Sequence, residues 1–141
     1  MRRALILLGA LGLLACDGDS ERNEANLLLT RLDSIRSGDL GQWRRKVESL
    51  DAMPLEFEGN VAVRDKCYAM HDALLRAEEA TEEARQLMDG LEAGEDGDPE
   101  TVAQALARSE AAIAETRELR EPCEDAHAEL KTRFAAGRGG S

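Results

Sequence analysis

Apolar residues recur every three or four positions along most of this chain, which is the spacing of one face of an α-helix. Two short runs with this spacing come first, and their apolar members are Ala25, Leu28, Leu32, Ile35, Leu40, Trp43, Val47 and Leu50. The tripeptide Ser-Gly-Asp separates the two runs, and its Asp39 is a residue type that caps helix N-termini. The pattern therefore predicts two short helices, of which the second ends near Ala52.

Two longer runs follow, and they predict a pair of long helices. In the first run, steps of four and three alternate without a break over Val63, Cys67, Met70, Leu74, Ala77, Thr81, Ala84, Met88 and Leu91. The second run passes over Val102, Leu106, Ser109, Ile113, Thr116, Leu119, Cys123, Ala126 and Leu130. Asn60 is placed to cap the first helix, and Asp98 with Pro99 after it to begin the second. Pro122 predicts a kink or a restart within the second helix.

These four segments predict an all-α fold, because no strand pattern competes with the helical spacing. The long helices are joined by the turn sequence AGEDGDP and form an antiparallel, coiled-coil-like hairpin, on which the two shorter N-terminal helices pack as a small bundle. We expect the bundle to span residues 25–136 and residues 137–141 to form a flexible tail. Only 3% of the residues are aromatic and many predicted contact positions are Ala, Ser or Thr, so we expect a thin core.

The N-terminus has the features of a targeting segment. Arg2 and Arg3 precede an apolar stretch from Ala4 to Leu14, which is shorter than the roughly 20 residues of a membrane-spanning helix. The stretch ends in the sequence Leu-Leu-Ala-Cys, which resembles the lipobox of bacterial lipoproteins with Cys16 at the cleavage site. The alternative is a buried N-terminal helix with an incidental cysteine.

The lipobox resemblance implies a location and an anchor. Residues 1–15 would be a cleaved signal peptide, Cys16 would carry lipid such as palmitate, and residues 16–24 would form a lipidated tether. The mature chain would be held at a membrane of the cell envelope and face the periplasm. Asp17 resembles an inner-membrane retention signal of enteric bacteria, but the choice between inner and outer membrane stays open.

The net charge narrows the range of partners. Without residues 1–15 the chain has 16 Lys and Arg against 29 Asp and Glu, a formal net charge of −13. This charge argues against nucleic acid and against anionic lipid headgroups as direct ligands. We expect contact with the membrane to run through the lipid anchor, and we expect the other partner to be an envelope protein.

Lipidation of Cys16 would leave Cys67 and Cys123 as an even pair in an oxidising compartment. The midpoint of these two positions is residue 95, which lies inside the predicted turn. The predicted hairpin therefore places the two cysteines opposite each other, and the sequence predicts a disulfide between them.

The same cysteines allow two alternatives: thiols that stay unpaired or pair between molecules, and a metal site. Cys67 with His71 and Cys123 with His127 both have the spacing Cys-x3-His, which is one helical turn, and the midpoint of the two pairs is residue 97. The predicted contact positions of the two long helices also pair about this residue. In that register the four side chains could bind Zn²⁺ as a Cys₂His₂ site.

The sequence contains no catalytic motif, and we expect no cofactor. The leading hypothesis is a membrane-anchored envelope lipoprotein that is not an enzyme and acts as an interaction, scaffold or assembly-accessory module. In architecture it resembles pilotins, small helical lipoproteins that assist secretion systems. Exposed apolar residues around Leu55 and Phe57 are the candidates for partner contact. The alternative hypothesis is a metal-binding or metal-sensing periplasmic lipoprotein that uses the Cys₂His₂ site across the hairpin.

Overall fold

The computed structural model describes residues 17–135, and within that range it contains four α-helices and no strand. The helices are α1 (Asp17–Ser34), α2 (Leu40–Asp51), α3 (Glu58–Glu92) and α4 (Pro99–Ala135). α3 and α4 form the antiparallel hairpin, and α1 and α2 pack on it, so the predicted fold class is confirmed. The predicted signal peptide, the lipidation site Cys16 and the predicted tail over residues 137–141 lie outside the described residues.

α1 begins earlier than the sequence predicts. The tether expected over residues 16–24 is instead helical from Asp17 onward. Glu21 explains part of this difference, because it forms an ion pair with Arg133 near the end of α4. The predicted apolar face of the helix is buried and comprises Ala25, Leu28, Leu32 and Ile35. The bundle therefore includes residues that the sequence pattern assigned to a connection.

α2 follows the predicted pattern closely. Gly38 reverses the chain after α1 with a φ of +98°, a backbone conformation that favours glycine. Asp39 then caps α2, because its Oδ1 accepts a hydrogen bond from the backbone N–H of Gln42 at 2.7 Å. The buried side chains of the helix are Trp43, Val47 and Leu50.

α3 begins at Glu58, so Asn60 does not cap it as the sequence predicts. The residue before the helix is Phe57, whose side chain cannot accept a hydrogen bond. Glu24 of α1 fixes the segment before the helix, because its carboxylate accepts from the backbone N–H groups of Glu56 and Phe57. Asn60 is fully buried and donates from Nδ2 to Glu24 Oε1 at 2.9 Å. A carboxylate from a distant segment thus positions the residues at which α3 begins.

The turn between the long helices is the predicted one. Gly94 ends α3 with a φ of +80°, as glycine commonly does at helix C-termini. Asp98 precedes α4, and its Oδ1 accepts from the backbone N–H of Glu100 at 2.9 Å. Pro99 is the first residue of α4, where its missing N–H leaves no helical hydrogen bond unmade.

A hydrophobic core fills the open end of the hairpin, where α1 and α2 pack. The core side chains are Ala25, Leu28, Leu32, Ile35, Trp43, Val47, Leu50, Val63, Cys67, Leu75, Cys123, Ala126, Leu130 and Phe134. Within the described residues this core has no member between Leu75 and Cys123. We therefore call residues 17–75 together with 116–135 the base.

The remaining part of the hairpin, residues 76–115, extends beyond the core, and we call it the arm. The two helices of the arm meet through small side chains, and the buried ones are Ala77, Ala80, Ala84, Ala105, Ser109 and Ala112. The hydroxyl oxygens of Thr81 and Ser109 lie 2.7 Å apart and form a hydrogen bond between the helices. Small residues of this kind bury little apolar area, so the arm is the thinly packed half of the fold.

The contact positions predicted for the arm are confirmed at Ala77, Ala84 and Ser109 and wrong at its largest apolar residues. The sequence pattern places Met88, Leu106 and Ile113 between the helices, but their side chains are 47%, 44% and 39% exposed. Ala105 and Ala112, one residue earlier in α4, take the predicted places. The physical reason is the close approach of the two helices, which leaves room for alanine but not for leucine or isoleucine.

α4 continues through Pro122, so the predicted restart does not occur. Proline has no N–H, and the carbonyl of Glu118 four residues earlier therefore lacks its helical hydrogen bond. Both residues are exposed, so water can bond to that carbonyl instead. The neighbouring Cys123 is held by the packing of the base.

Candidate functional site

Cys67 and Cys123 are buried in the base and form a disulfide. Their sulfur atoms are 2.10 Å apart and their Cα atoms 4.7 Å apart. This pair is centred on residue 95, and the hydrogen-bonded pair Thr81 and Ser109 has the same centre. The predicted disulfide and the hairpin register on which it depends are therefore confirmed.

The alternative metal site is not formed. It requires a hairpin centred on residue 97 and two free thiols, whereas the observed centre is residue 95 and each sulfur is bonded to the other. Within residues 17–135, no three His, Cys, Asp or Glu side chains converge as a metal site would require. The Cys₂His₂ arrangement of Cys67, His71, Cys123 and His127 is thus replaced by the disulfide.

His71 is buried one helical turn from the disulfide. Burial, together with the positive charge of Arg36 and the neighbouring His127, lowers its pKa to about 4. In the described part of the chain its Nδ1 has no hydrogen-bond partner. A cavity of about 280 Å³ opens beside it, with Arg36, Thr116 and Glu124 among its lining residues. At pH 7 the imidazole is neutral and fills space in the base.

His127 belongs to α4, and its side chain contacts the end of α1. Its Nε2 is 3.4 Å from Asp33 Oδ1, and Lys131 Nζ is 3.0 Å from the same oxygen. Burial lowers the pKa of His127, and Lys131 lowers it further, while Asp33 acts in the opposite direction. The group forms a contact between α1 and α4.

The predicted contact residues Leu55 and Phe57 are half-buried rather than exposed. Leu55 packs against the core, and the Phe57 backbone N–H donates to Glu24. Desolvation raises the pKa of Glu24, but hydrogen bonds from Glu56, Asn60 and Phe57 outweigh it, and the net shift of the pKa is downward. This connection is therefore fixed to α1, and partner contact at Leu55 and Phe57 stays a prediction.

The N-terminal end of α1 lies at the open end of the hairpin. Asp17 is its first residue and directly follows Cys16 in the chain. Glu21, one turn later, contacts α4 through Arg133, and its carbonyl accepts from Asn60 near the start of α3. The start of α1, which directly follows the predicted lipidation site in the sequence, thus lies in the base, at the end of the molecule opposite the turn. Among the described helices, none combines the length and the apolar character needed to cross a membrane.

One side of the arm is crossed by ion pairs. Arg76 of α3 pairs with Glu115 of α4 at 2.9 Å, and Arg108 of α4 pairs with Glu83 of α3 at 2.7 Å. Between these pairs lies a shallow groove of about 420 Å³ whose lining includes Ala80. We call this side the bridged face, because its charges neutralise each other across the hairpin.

The other side of the arm is apolar, and sequence reasoning missed it. Leu106 and Ile113 are exposed and lie seven residues apart, so they share one stripe of α4. The hydroxyl of Thr81 in α3 bonds to Ser109, which lies in α4 between Leu106 and Ile113. Met88 is seven residues from Thr81 and therefore lies on the same side of α3. These positions face away from the bridged face. We call the side formed by Thr81, Met88, Leu106 and Ile113 the open face.

The sequence did contain a signal for the open face. Ala105, Ser109, Ala112 and Thr116 form a second series in α4 with steps of four and three. This series is the one that is buried. It shares Ser109 and Thr116 with the predicted series, but it has the small residues Ala105 and Ala112 in place of Leu106 and Ile113. Choosing it would have placed Leu106 and Ile113 at the edge of the helix contact.

Comparison with known proteins yields no match for this chain: no family model, no curated protein and no solved structure is similar to it. The features of the chain that bear on its function are the N-terminal Leu-Leu-Ala-Cys sequence, the disulfide of the base and the open face of the arm.

Proposed function

We propose that the protein is an envelope lipoprotein, anchored through Cys16, that is not an enzyme and acts as an interaction or scaffold module in the assembly of a larger envelope structure. The observation that carries this proposal is the Leu-Leu-Ala-Cys sequence, which follows Arg2, Arg3 and a short apolar stretch. Cleavage before Cys16 would leave all of the described residues, 17–135, in the mature chain, and the lipid would be attached to the residue that precedes Asp17 of α1.

The position of α1 supports a defined orientation for such an anchor. The start of α1 contacts the ends of the long helices that are remote from the turn. α3 has 35 residues and therefore spans about 50 Å at 1.5 Å per residue. A lipid on Cys16 would hold the base near the membrane, and the arm could reach up to that distance from its surface.

The disulfide supports an oxidising compartment. Disulfides persist in the periplasm and outside the cell, whereas thiol-reducing systems keep cysteines reduced in the cytosol. Cys67 and Cys123 are both buried in the base and bonded to each other. An envelope location explains why the chain combines a cysteine in a lipobox-like sequence with a disulfide between its two other cysteines.

Lipidation is tested by expressing the full chain in a bacterium that is fed an alkyne analogue of palmitate. The expected result is label on the wild-type protein, which stays in the membrane fraction after a high-salt wash. The Cys16→Ser variant is expected to lack label and to leave the membrane fraction. Ser20→Ala, a substitution at an exposed position near the same end of the chain, serves as the control, and its label is expected to be unchanged.

Two outcomes would contradict the proposal. One is a wild-type protein without label, whose intact mass shows that residues 1–15 remain. The other is a Cys16→Ser variant that still carries label or stays in the membrane fraction as the wild type does. Either result would rule out a lipid anchor at Cys16, independently of what the arm binds.

A further inference from the structure

The arm carries most of the negative charge of the protein. Residues 76–115 contain twelve Asp and Glu against three Arg, a formal net charge of −9. The larger base contains 17 acidic against 12 basic residues, a formal net charge of −5. The three arginines of the arm are Arg76, Arg85 and Arg108, and each pairs with a carboxylate of its own hairpin. The arm therefore presents an excess of acidic groups to solvent.

Two of these acids flank the open face. Glu78 lies three residues before Thr81 in α3, and Glu110 lies between Leu106 and Ile113 in α4, one turn from each. Among the described residues, neither Glu78 nor Glu110 has an ion-pair partner. On the bridged face, by contrast, the carboxylates across the hairpin are paired with arginine. Arg85 lies one turn from both Thr81 and Met88, but it is paired with Glu82 and Asp89. Apolar side chains, one paired arginine and unpaired carboxylates thus occur together on this side of the arm.

The open face has the length of a short helix. In the observed register Ile113 lies level with residue 77, eleven residues before Met88, so the face extends for about 16 Å. In the base, the corresponding surface of the hairpin is covered by α1 and α2. A single helix lying along the arm would cover the open face in a comparable way, with its apolar stripe between the two long helices.

We propose that the open face binds a cationic amphipathic helix of an envelope protein. The apolar side chains of such a helix would contact Met88, Leu106 and Ile113, and its Lys or Arg residues would pair with Glu78 and Glu110. A second copy of this chain is the less favourable occupant, because its arm brings a further charge of −9. Anionic lipid headgroups are repelled for the same reason. This inference rests on the proposed role as an envelope interaction module.

The test measures binding of synthetic peptides to the full chain, expressed in a bacterium and purified into nanodiscs of zwitterionic lipid. The probe is a helix of about 18 residues with leucine along one stripe and lysine elsewhere. One control peptide has the same composition in scrambled order, and another has glutamate in place of lysine. Empty nanodiscs report binding to lipid alone. Mass spectrometry of the same protein sample reads lipidation at Cys16 separately from binding.

We expect the leucine–lysine peptide to bind at least about tenfold more tightly than either control peptide. Methyl NMR signals of Met88, Leu106 and Ile113 are expected to shift, whereas those of Leu28 and Leu50 in the base stay in place. The double variant Leu106→Ser and Ile113→Ser is expected to weaken binding by about tenfold or more. Ala111→Ser, an exposed residue of the bridged face, is the matched control and is expected to leave binding unchanged.

A second double variant tests the contribution of the two carboxylates to binding. Glu78→Gln with Glu110→Gln is expected to weaken binding by about threefold and to reduce its dependence on salt. Glu129→Gln, an exposed acid of the base, is the matched control. The proposal is overturned if the glutamate peptide binds as tightly as the lysine peptide, if the methyl shifts occur in the base, or if the protein forms dimers through the arm. A lipidated sample that fails to bind overturns this inference and leaves the proposed anchor intact.

Discussion

The base and the arm are two halves of one helical hairpin, yet they are built on different principles. In the base, large side chains of all four helices pack around a disulfide, and the largest fully buried ones include Leu28, Ile35 and Leu50. In the arm, the same two long helices meet through alanine and serine, and the largest apolar side chains point away from the contact. The difference indicates that the stability of the fold comes from the base.

The comparison also separates stability from binding. Large apolar side chains that are absent from a core contribute little to folding, but they stay available for burial against a partner surface. Met88, Leu106 and Ile113 are such side chains, and they occur in the half of the molecule with the higher density of negative charge. Substitutions in the base are therefore expected to change stability, and substitutions on the open face to change binding.

The largest effect is expected from removing the disulfide. Cys67 and Cys123 close a loop with a sequence separation of 56 residues, and the chain-entropy relation gives about 4 kcal/mol of stabilisation as an upper value. The double variant Cys67→Ala and Cys123→Ala is expected to lose up to this amount of unfolding free energy in urea denaturation. Reduction of the wild type is the control and is expected to have a similar effect. An unchanged denaturation midpoint would contradict the account of the base.

A pair of leucine substitutions compares the two halves directly. Leu50 is fully buried in the base, whereas Leu106 is 44% exposed in the arm. Leu50→Ala is expected to lower the unfolding free energy by about 3 kcal/mol, and Leu106→Ala by less than about 0.5 kcal/mol. Chemical denaturation of both variants under one condition provides the measurement. Equal losses would remove the distinction between base and arm.

His71 makes the stability of the base depend on pH. Its pKa is about 4 in the folded protein and 6.5 in its ordinary state, so the unfolded chain binds the proton first as the pH falls. The stabilisation is complete above pH 6.5 and declines towards pH 4. The expected loss between pH 7 and pH 5 is about 2 kcal/mol at most, at 1.36 kcal/mol per pKa unit.

The measurement is the unfolding free energy of the wild type and of His71→Gln at several pH values. The variant is expected to have a flatter dependence on pH between 6.5 and 4, because only the contribution of this imidazole is removed. The many carboxylates titrate in both proteins and cancel in the difference. Parallel curves for the two proteins would show that His71 is not the buried group that this account describes.

The smallest effect is expected from enlarging the contact within the arm. Ala112 is buried between the helices, whereas its neighbour Ala111 is exposed. Ala112→Leu is expected to push the arm helices apart and to cost about 1 kcal/mol, a low value for overpacking because the arm can separate without disturbing the base. Ala111→Leu is the matched control and is expected to have no effect on stability.

Much of the fold could be predicted because its rules act over short distances in the sequence. The three-and-four spacing predicts all four helices, and Asp39, Asp98 and Pro99 mark helix starts as predicted. The position of Cys67 and Cys123 about the turn predicts their pairing, because two residues equidistant from a hairpin turn lie opposite each other. These inferences need no knowledge of how the helices pack.

The features that were not predicted depend on contacts between distant segments. Glu24 fixes the segment before α3 from a position more than thirty residues earlier, whereas a search for a local cap selected Asn60. In α4 two series share the helical spacing, and hydrophobicity favours the one with Leu106 and Ile113. The close approach of the helices selects the alanine series, and that distance is a property of the packed hairpin. The open face was therefore hidden from sequence reasoning.

Native-state hydrogen exchange tests the division between base and arm most directly. We expect backbone amides at residues 80–91 and 102–112 to exchange through openings of lower free energy than amides at residues 63–75 and 123–134, because small buried side chains hold the arm together. Binding of the leucine–lysine peptide is expected to slow exchange in the arm alone. Equal protection of both halves of α3 and α4, unchanged by the peptide, would contradict the account.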